Sequence, residues 1–390
     1  MTLDASDSPA DRQFREDFRA YLGEHGDDLL TGIRWPETPP EVRAHRKHQR
    51  VLYEGGYAGI TWPVEYGGWG GTVMQQAIVE QESTRAGLPR LINLVAIGMC
   101  GPTLMECGTP GQQSRYLKDM LTAEKLWCQL FSEPGAGSDL AAVSTRATRT
   151  DEGWTIHGQK VWTSGAQFAD YGLLLARTDP AAPKHRGLTM FIVDMSLPGV
   201  AVRPLRQMSG DSEFNEVFLD AVPIPDACRV GEVNGGWAVA LTTLASERML
   251  IGGTGTEYVG TIDELAVSVA AALPEMHSAT AAQAYQDLAR CWIHNQANKA
   301  WGFRRLTGLT RGEIPGAEAS AGKLTSTRLA RAVADLGLKA QTIENRSVSG
   351  EPDWRYAATF AVALSIAGGT DEVLKNILGE RVLGLPAEPR

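Results

Sequence analysis

The stretch WTIHGQKVWTS, residues 154–164, decides how this sequence is divided into domains. It is rich in tryptophan, threonine, isoleucine and valine and follows the turn signal TDEG, a combination that predicts a β-strand. Four more runs with strand character lie around it: WCQLFS, YGLLLART, LTMFIVDM and FNEVFLDAV. Turn-forming segments such as DPAAP and SGDSE separate these runs. We therefore predict a compact antiparallel β domain in the middle of the chain.

The sequence on both sides of this block has a helical pattern. Apolar residues recur at helical spacing in DRQFREDFRAYLGEH, residues 11–25, and long alanine- and leucine-rich stretches such as GGWAVALTTLASERML begin at Gly235. The sequence therefore predicts an α+β protein. We place an N-terminal helical domain at 1–122, a middle antiparallel β domain at 123–230 and a C-terminal helical bundle at 231–390.

Composition and charge exclude several classes of function. The 390 residues are 43% hydrophobic and 21% charged, which is ordinary for a globular protein, and carry a net charge of -9. A nucleic-acid surface needs concentrated positive charge, so we expect no nucleic-acid partner. No apolar stretch is long enough to span a bilayer, so we expect no membrane insertion. The five cysteines are scattered without a CxxC pair, which is typical of reduced thiols and predicts a cytoplasmic protein.

A glycine-rich loop in the predicted β domain is a candidate ligand contact. The segment FSEPGAGSDLA, residues 131–141, joins a strand to a loop that contains Gly135, Gly137 and Ser138. Small residues let a ligand approach the backbone and bind its N–H groups and the serine hydroxyl. The same composition is also common in simple turns, so the loop alone does not identify a site.

A second candidate follows about 20 residues later, where Trp162 precedes Thr163 and Ser164. A tryptophan on a strand is usually a core residue. Next to two hydroxyl groups it could equally form a flat wall against an aromatic ring system, with hydrogen-bonding groups at the edge of that ring. The sequence leaves both interpretations open.

The first helix predicted in the C-terminal domain carries one carboxylate on an apolar stripe. Five residues three and four positions apart lie on this face: Trp237, Ala240, Leu244, Glu247 and Ile251. Burying an unpaired carboxylate is costly, so such a group usually has a raised pKa or a charged partner. Glu247 is therefore either an edge residue paired with a lysine or arginine or a functional carboxylate.

Two adjacent glycines interrupt the apolar run LSIAGGTDEV, residues 364–373. Glycine inside a helix costs about 1 kcal/mol relative to alanine, so a core helix would not be expected to contain this pair. We expect another group to approach the backbone closely here or to use its N–H groups.

Taken together, these segments resemble the acyl-CoA dehydrogenase family. The matching motifs follow in the order and spacing of that family: WPVEYGG (62–68), SEPGAGSDLA (132–141), GWTIHGQKVWTSGA (153–166), ASER (245–248) and AGGTDEVLKNILGERVLGLP (367–386). The resemblance covers nearly the whole chain. It implies an N-terminal helical domain, a β domain and a C-terminal four-helix bundle, with FAD bound between the last two. It also implies a homotetramer, arranged as a dimer of dimers, in which a neighbouring subunit completes each FAD site.

The resemblance assigns FAD contacts by position. It places the flavin ring and its edge against Gln129, Phe131, Ser132, Trp162, Thr163 and Ser164. It places the phosphates and adenosine of FAD against Gly137, Ser138, Thr370 and Glu372. Ser138 would also contact the pantetheine arm of the substrate.

The resemblance also implies a reaction. A base removes a proton from Cα of an acyl-CoA thioester while a hydride leaves Cβ for flavin N5, and a backbone N–H stabilises the enolate oxygen. Gly368 supplies that N–H and Gly369 lines the substrate, while the base is Glu247, as in the isovaleryl- and long-chain-type members. Arg248 then positions the substrate. An electron-transfer flavoprotein is the expected electron acceptor.

This sequence departs from the family pattern in three places. Many members have a catalytic glutamate at the position of Gly368, and the usual Arg-x-x-Phe-Gly and Gln-x-x-Gly-Gly elements are replaced by ALPEMHSATAAQAYQ (272–286) and KAQTIENRSVSGEPDW (339–354). Such losses resemble an actinobacterial-like branch in which some members act on bulky acyl groups and pair with a distinct chain. Two alternatives therefore stay open: a non-catalytic or partner-dependent subunit of a hetero-oligomer, and an acyl-CoA oxidase.

Overall fold

The structure is a computed structural model that describes residues 7–31, 35–251, 259–313, 316–317, 319–344 and 352–387. These residues form two compact units. The first unit contains 7–207 and 211–246, and the second contains 208–210 and the described residues from Glu247 onward.

The N-terminal part of the first unit is helical, as predicted. Its helices are α1 (Pro9–Glu24), α2 (Pro39–Glu54), α3 (Val73–Arg85), α4 (Gly101–Cys107) and α5 (Pro110–Leu121). Threonines at positions 72 and 109 each accept a hydrogen bond from the backbone three residues on, which fixes where α3 and α5 begin. A π-helical turn at Ala96–Cys100 leads directly into α4. Phe18 of α1 is fully buried in the core that these helices share with the loop before α3.

The middle of the chain forms one eight-stranded sheet. The strands are β1 (Trp127–Leu130), β2 (Arg146–Thr150), β3 (Gly153–Ser164), β4 (Tyr171–Arg177), β5 (Leu188–Asp194), β6 (Val200–Leu205), β7 (Phe214–Ile224) and β8 (Arg229–Val230). They are hydrogen-bonded in the order β6-β7-β3-β2-β4-β5-β8, and β1 pairs with β4. Most pairings are antiparallel, as predicted, but β1 runs parallel to β4, as does the single pair between β2 and β4. The stretch quoted first, 154–164, lies inside β3, the longest of these strands.

Two of the cores in the first unit involve the β-sheet. One lies against the β-sheet and contains Trp154, Phe191 and Val217. The other joins the N-terminal helices to the sheet and to α6 (Gly236–Ile251), through Leu104, Met190 and Ala240, among other residues. The helical part and the β part of this unit therefore share a buried apolar core.

The second unit is helical. Its described helices are α7 (Ile262–Ala272), α8 (Ser278–Thr310), α9 (Ala319–Glu344), α10 (Trp354–Leu364) and α11 (Asp371–Arg381), together with the end of α6. Trp354 is almost completely buried among apolar residues of α7 and α9, and its indole N–H donates to Ser268 Oγ at 2.9 Å. This tryptophan fixes how α10 packs against the other helices.

The α+β fold class with helical, β and helical parts is confirmed, whereas the domain boundaries stay predictions. Of the helices that the structure describes, none has the length and apolarity needed to cross a membrane. Within the described ranges there is also no cluster of three histidine, cysteine or acidic side chains that could hold a metal ion.

Candidate active site

The C-terminal end of β3 carries an exposed tryptophan. Trp162 has a left-handed backbone conformation (φ 59°), which is uncommon for a bulky residue, and 60% of its surface is exposed. The pairing of β3 with β7 shifts register between Lys160 and Thr163, so Trp162 lies in an irregular segment of the strand. Its indole packs edge-on against Phe214 with ring centroids 6.0 Å apart. This arrangement leaves the tryptophan open to a planar ligand.

The two hydroxyl residues after Trp162 differ in burial. Ser164 is half-buried, whereas Thr163 is 1% exposed. The hydroxyl of Thr163 has no hydrogen-bond partner among the described residues, and the side-chain oxygen of the paired residue Asn215 has none either. A buried polar atom without a partner is unusual in a folded protein.

The glycine-rich loop begins at the end of β1. Gln129 lies on this strand and is half-buried, Phe131 is buried, and Ser132 is half-buried. Glu133 and Ala136 exchange two backbone hydrogen bonds of 3.0 Å, which makes residues 133–136 a tight turn.

The rest of that loop is open. Gly137 and Ser138 are both exposed. A Cβ atom added at Gly135 or Gly137 would meet no other heavy atom within 4 Å. Space for a ligand therefore remains beside the backbone of this loop.

A buried ion pair joins the loop to β3. Lys160 is 0% exposed, and its ammonium group lies 2.8 Å from Glu133 Oε1. Burial lowers the pKa of Lys160 to about 8, against the opposing effect of Glu133. Burial alone would raise the pKa of Glu133, but the charge of Lys160 and hydrogen bonds from Lys160, Thr145 and Ser144 lower it to about 2. Sequence reasoning missed this pair, although both residues lie inside the motifs it identified.

The Gly368–Gly369 segment in the second unit forms the turn between α10 and α11. Both glycines have left-handed backbones, with φ values of 65° and 94°. This conformation by itself explains why glycine occurs twice here. Within the described chain, no carbonyl accepts a hydrogen bond from the N–H of Gly368. The turn therefore presents an unused backbone donor.

A second buried lysine, also missed, holds this turn. Lys323 is 3% exposed and donates to the carbonyl oxygen of Gly369 at 2.9 Å and to Asp371 Oδ1 at 3.3 Å. Burial lowers the pKa of Lys323, while Asp371 opposes this shift. Thr370 caps α11 by accepting a hydrogen bond from the backbone of Val373. The predicted FAD contact Thr370 therefore also has a structural role.

Glu372, another predicted FAD contact, follows this cap on the first turn of α11. Its side chain is 78% exposed and lies 3.8 Å from the Lys375 ammonium group. A pair this exposed contributes little to stability, so the carboxylate is available to other partners.

Glu247 lies near the end of α6. Trp237, Ala240 and Leu244 on the same face belong to or pack against the core of the first unit, as the apolar stripe predicted. The Glu247 side chain is half-buried and belongs to the second unit. The side chains of Arg248 and Ile251 lie outside the described residues.

The predicted site residues therefore fall into two groups. The contacts assigned to the flavin ring, together with Gly137 and Ser138, belong to the first unit, and Glu247, Gly368, Gly369, Thr370 and Glu372 belong to the second.

The first group fits a flavin on two observations. The side chain of Trp162 is 60% exposed and precedes the half-buried residue Ser164 by two positions. The buried hydroxyl of Thr163 between them lacks a partner in the described ranges. A planar heteroaromatic ring offers a face for the indole and polar edge atoms for hydroxyl groups.

Comparison with family models matches three consecutive domains of one family. These are the acyl-CoA dehydrogenase N-terminal domain at residues 8–124, the middle domain at 128–222 and the C-terminal domain at 234–383. Together they account for most of the chain.

Two curated relatives come from mycobacteria. Acyl-CoA dehydrogenase FadE34 of Mycobacterium tuberculosis is 43% identical over 344 residues, which are 87% of this chain and 46% of the relative. This chain thus spans about half the length of FadE34. Acyl-CoA dehydrogenase IpdE1 of Mycolicibacterium smegmatis is 36% identical over 97% of this chain and 98% of the relative.

A solved structure described as "Tcur3481-Tcur3483 steroid ACAD" has a TM-score of 0.85 and 28% sequence identity, and the match covers both chains completely.

Proposed function

This chain belongs to the acyl-CoA dehydrogenase family and is a flavin-dependent oxidoreductase, and we propose that Glu247 and Gly368 supply its two catalytic groups. In this proposal Glu247 removes a proton from Cα of an acyl-CoA thioester. The backbone N–H of Gly368 donates to the thioester carbonyl oxygen as negative charge develops on it. The observation that carries the proposal is the turn at Gly368, whose N–H donates to no carbonyl of the described chain.

The turn gives this donor a fixed direction. The carbonyl oxygen of Gly369 is bound by the buried Lys323, and α11 begins directly after Thr370. A donor that is already oriented needs no reorganisation when charge develops, which is the main advantage of an oxyanion-binding site.

We propose FAD as the flavin. When bound, FAD would supply the acceptor for the hydride that leaves Cβ. The indole of Trp162 and the hydroxyl of Ser164 would contact the ring, with Gln129, Phe131, Ser132 and Thr163 in the same group. Gly137, Ser138, Thr370 and Glu372 would hold the phosphate and adenosine parts, and Ser138, Arg248 and Gly369 the substrate.

The proposed substrate is a bulky acyl-CoA thioester. Glycine occupies position 368, where many members have a glutamate, and this leaves more room near the reacting carbons. The similar solved structure is described as a steroid ACAD, which supports an acyl group of that size. An electron-transfer flavoprotein is the proposed acceptor of the electrons.

The proposed assembly is a dimer of dimers that contains either one kind of chain or two. The Arg-x-x-Phe-Gly element is absent at 272–286, the description of the similar structure joins two chain names, and FadE34 is about twice as long as this chain. These three observations favour a partner chain that completes the FAD site. We also propose a cytoplasmic setting, which the five unpaired cysteines support.

The test is a flavin spectrum followed by an anaerobic titration. The purified chain, alone and after incubation with FAD, is expected to show the flavin absorbance bands, and a panel of acyl-CoA thioesters is then added without oxygen. We expect bleaching with branched or bulky acyl groups in preference to short straight ones. A colourless protein that cannot be loaded with FAD would instead support the non-catalytic subunit, and stoichiometric hydrogen peroxide in air would support an oxidase.

A further inference from the structure

We propose that Lys160 is a positioning residue that holds the two flavin-contacting segments of the β domain, 129–132 and 162–164, in one fixed arrangement. This inference rests on the proposed function, because it takes both segments to be contacts of the bound flavin.

The ammonium group of Lys160 binds three separate parts of the chain. It donates to the carbonyl oxygen of Phe131 at 2.9 Å, to Glu133 Oε1 at 2.8 Å and to the carbonyl oxygen of Leu175 at 2.8 Å. A lysine has three N–H donors, so all of them are used. The first acceptor lies in the residue after β1, the second in the tight turn and the third on β4. One side chain of β3 therefore fixes the backbone from which Phe131 projects.

The Glu133 carboxylate extends this anchor to another segment. Its Oε2 accepts from the backbone N–H and the hydroxyl of Ser144, both at 2.7 Å, and its Oε1 accepts from the backbone N–H of Thr145 at 2.9 Å. The carbonyl oxygen of Ser132 also accepts from the backbone N–H of Val161 at 2.9 Å. The loop that leads away from β1 is thus attached to β3 at three consecutive residues.

Lys160 also stands at the start of the irregular segment that exposes Trp162. The β3–β7 register shift lies between Lys160 and Thr163. A fully buried lysine whose donors are all used cannot follow a shift of this segment without losing hydrogen bonds. Fixing Lys160 therefore fixes both the base of the Trp162 segment and the Phe131 backbone.

A role in net stability alone does not account for this pair. Replacing a buried ion pair by apolar residues of similar size is often neutral or stabilising, because desolvation offsets the attraction between the charges. An apolar side chain at position 160 could fill the same volume, but it could not bind the carbonyl oxygen of Phe131. What only the lysine supplies is the orientation of that backbone.

The experiment compares Lys160→Met, the double variant Lys160→Met/Glu133→Gln and the control Ser144→Ala with the wild type. Ser144→Ala removes one hydrogen bond from Glu133 and leaves all three bonds of Lys160 in place. Three quantities are measured on each full-length protein: the thermal midpoint without flavin, the dissociation constant for FAD and the visible spectrum of the bound flavin.

We expect Lys160→Met to lower the thermal midpoint and to weaken FAD binding by about tenfold or more, the range seen when supports of a bound group are removed. The visible band of the bound flavin should also shift in Lys160→Met. The double variant leaves no unpaired buried charge, so its midpoint should recover at least in part, although the carbonyl oxygens of Phe131 and Leu175 still lack the lysine donor. Its FAD binding should stay weak and its flavin band should stay shifted from the wild-type position. Ser144→Ala should keep FAD binding within about twofold. Where Lys160→Met does not fold, the double variant decides.

A double variant that recovers both the midpoint and the FAD affinity would show that Lys160 is only structural and would overturn the inference. A wild type that binds no FAD under any condition would refute the proposed function itself, together with this inference. The two failures are therefore distinguishable by the wild-type measurement.

Discussion

Replacing Glu133 by alanine should destabilise the protein strongly, and by an amount that depends on pH. The substitution leaves the Lys160 ammonium group completely buried with two carbonyl oxygens and no negative charge. Removing one partner of a buried ion pair costs about 3–5 kcal/mol. We therefore expect a loss of that size in the free energy of unfolding at pH 7.

The pH dependence follows from the pKa of Lys160, which burial lowers from 10.5 to about 8. Without Glu133 this pKa falls further, so at a given pH less of Lys160 is protonated in the folded variant than in the folded wild type. The unfolded variant then binds more protons than the folded variant already below pH 8, and the stability of the variant rises with pH in that range. In the wild type, deprotonation of Lys160 adds little to the free energy of unfolding until the pH passes 8. The destabilisation should therefore be smaller at pH 9 than at pH 7, by up to about 1.4 kcal/mol, which corresponds to one pKa unit.

The assay is urea unfolding of flavin-free protein at pH 7 and pH 9, because bound FAD would add its own stabilisation. The control is Asp28→Ala, which removes the partner of Lys47 from a pair that is about half exposed on each side. This control should cost less than about 1 kcal/mol at either pH. An equal loss for Glu133→Ala at the two pH values, or a loss no larger than that of the control, would refute the reasoning.

Two further stability predictions concern a buried histidine and a pair of helix glycines. His48 is fully buried, and burial together with the nearby His45 lowers its pKa from 6.5 to about 4. The unfolded chain therefore takes up a proton at this residue before the folded chain does, and the free energy of unfolding should fall by about 1.5 kcal/mol through His48 as the pH falls from 6.5 to 5. Urea unfolding at the two pH values should show a smaller loss for His48→Gln than for the wild type, and equal losses would contradict the assignment. A Cβ atom at Gly337 would lie 2.2 Å from the ring of the buried Trp354, so Gly337→Ala should lower the free energy of unfolding by about 1–3 kcal/mol. A Cβ atom at Gly302 on α8 would meet open space, so Gly302→Ala should raise the free energy of unfolding by up to about 1 kcal/mol. Thermal melts that shift in the same direction for both variants would contradict this comparison.

The fold could be predicted from the sequence because its evidence is local. Strand-like runs between turn signals identified the middle domain, and helical spacing identified the two flanking domains. The parallel pairing of β1 with β4 was not predicted, since it joins residues more than 40 positions apart and leaves no signal in either strand. Composition favours antiparallel pairing, and the hydrogen bonds show two exceptions, the four residue pairs of β1 with β4 and the single pair of β2 with β4.

The candidate site could be predicted only in part. The glycine pair at 368 and 369 predicts a place of close approach, whereas the left-handed backbones of both residues give a simpler reason that the sequence alone does not reveal. The sequence does not decide whether Trp162 is a core residue or a ligand contact, and its exposed indole excludes the core. Lys160 and Lys323 were missed because lysine is almost never fully buried, so sequence reasoning assigns it to the surface.

The most direct test of the proposed mechanism is anaerobic mixing of the Glu247→Gln variant with a substrate that bleaches the wild-type flavin. Glutamine keeps the size of the side chain and removes its ability to take a proton. We predict that the variant binds FAD and the thioester as the wild type does, and that its flavin stays yellow in the presence of substrate. Bleaching of the variant at the wild-type rate would show that another residue takes the Cα proton and would contradict the assignment of Glu247.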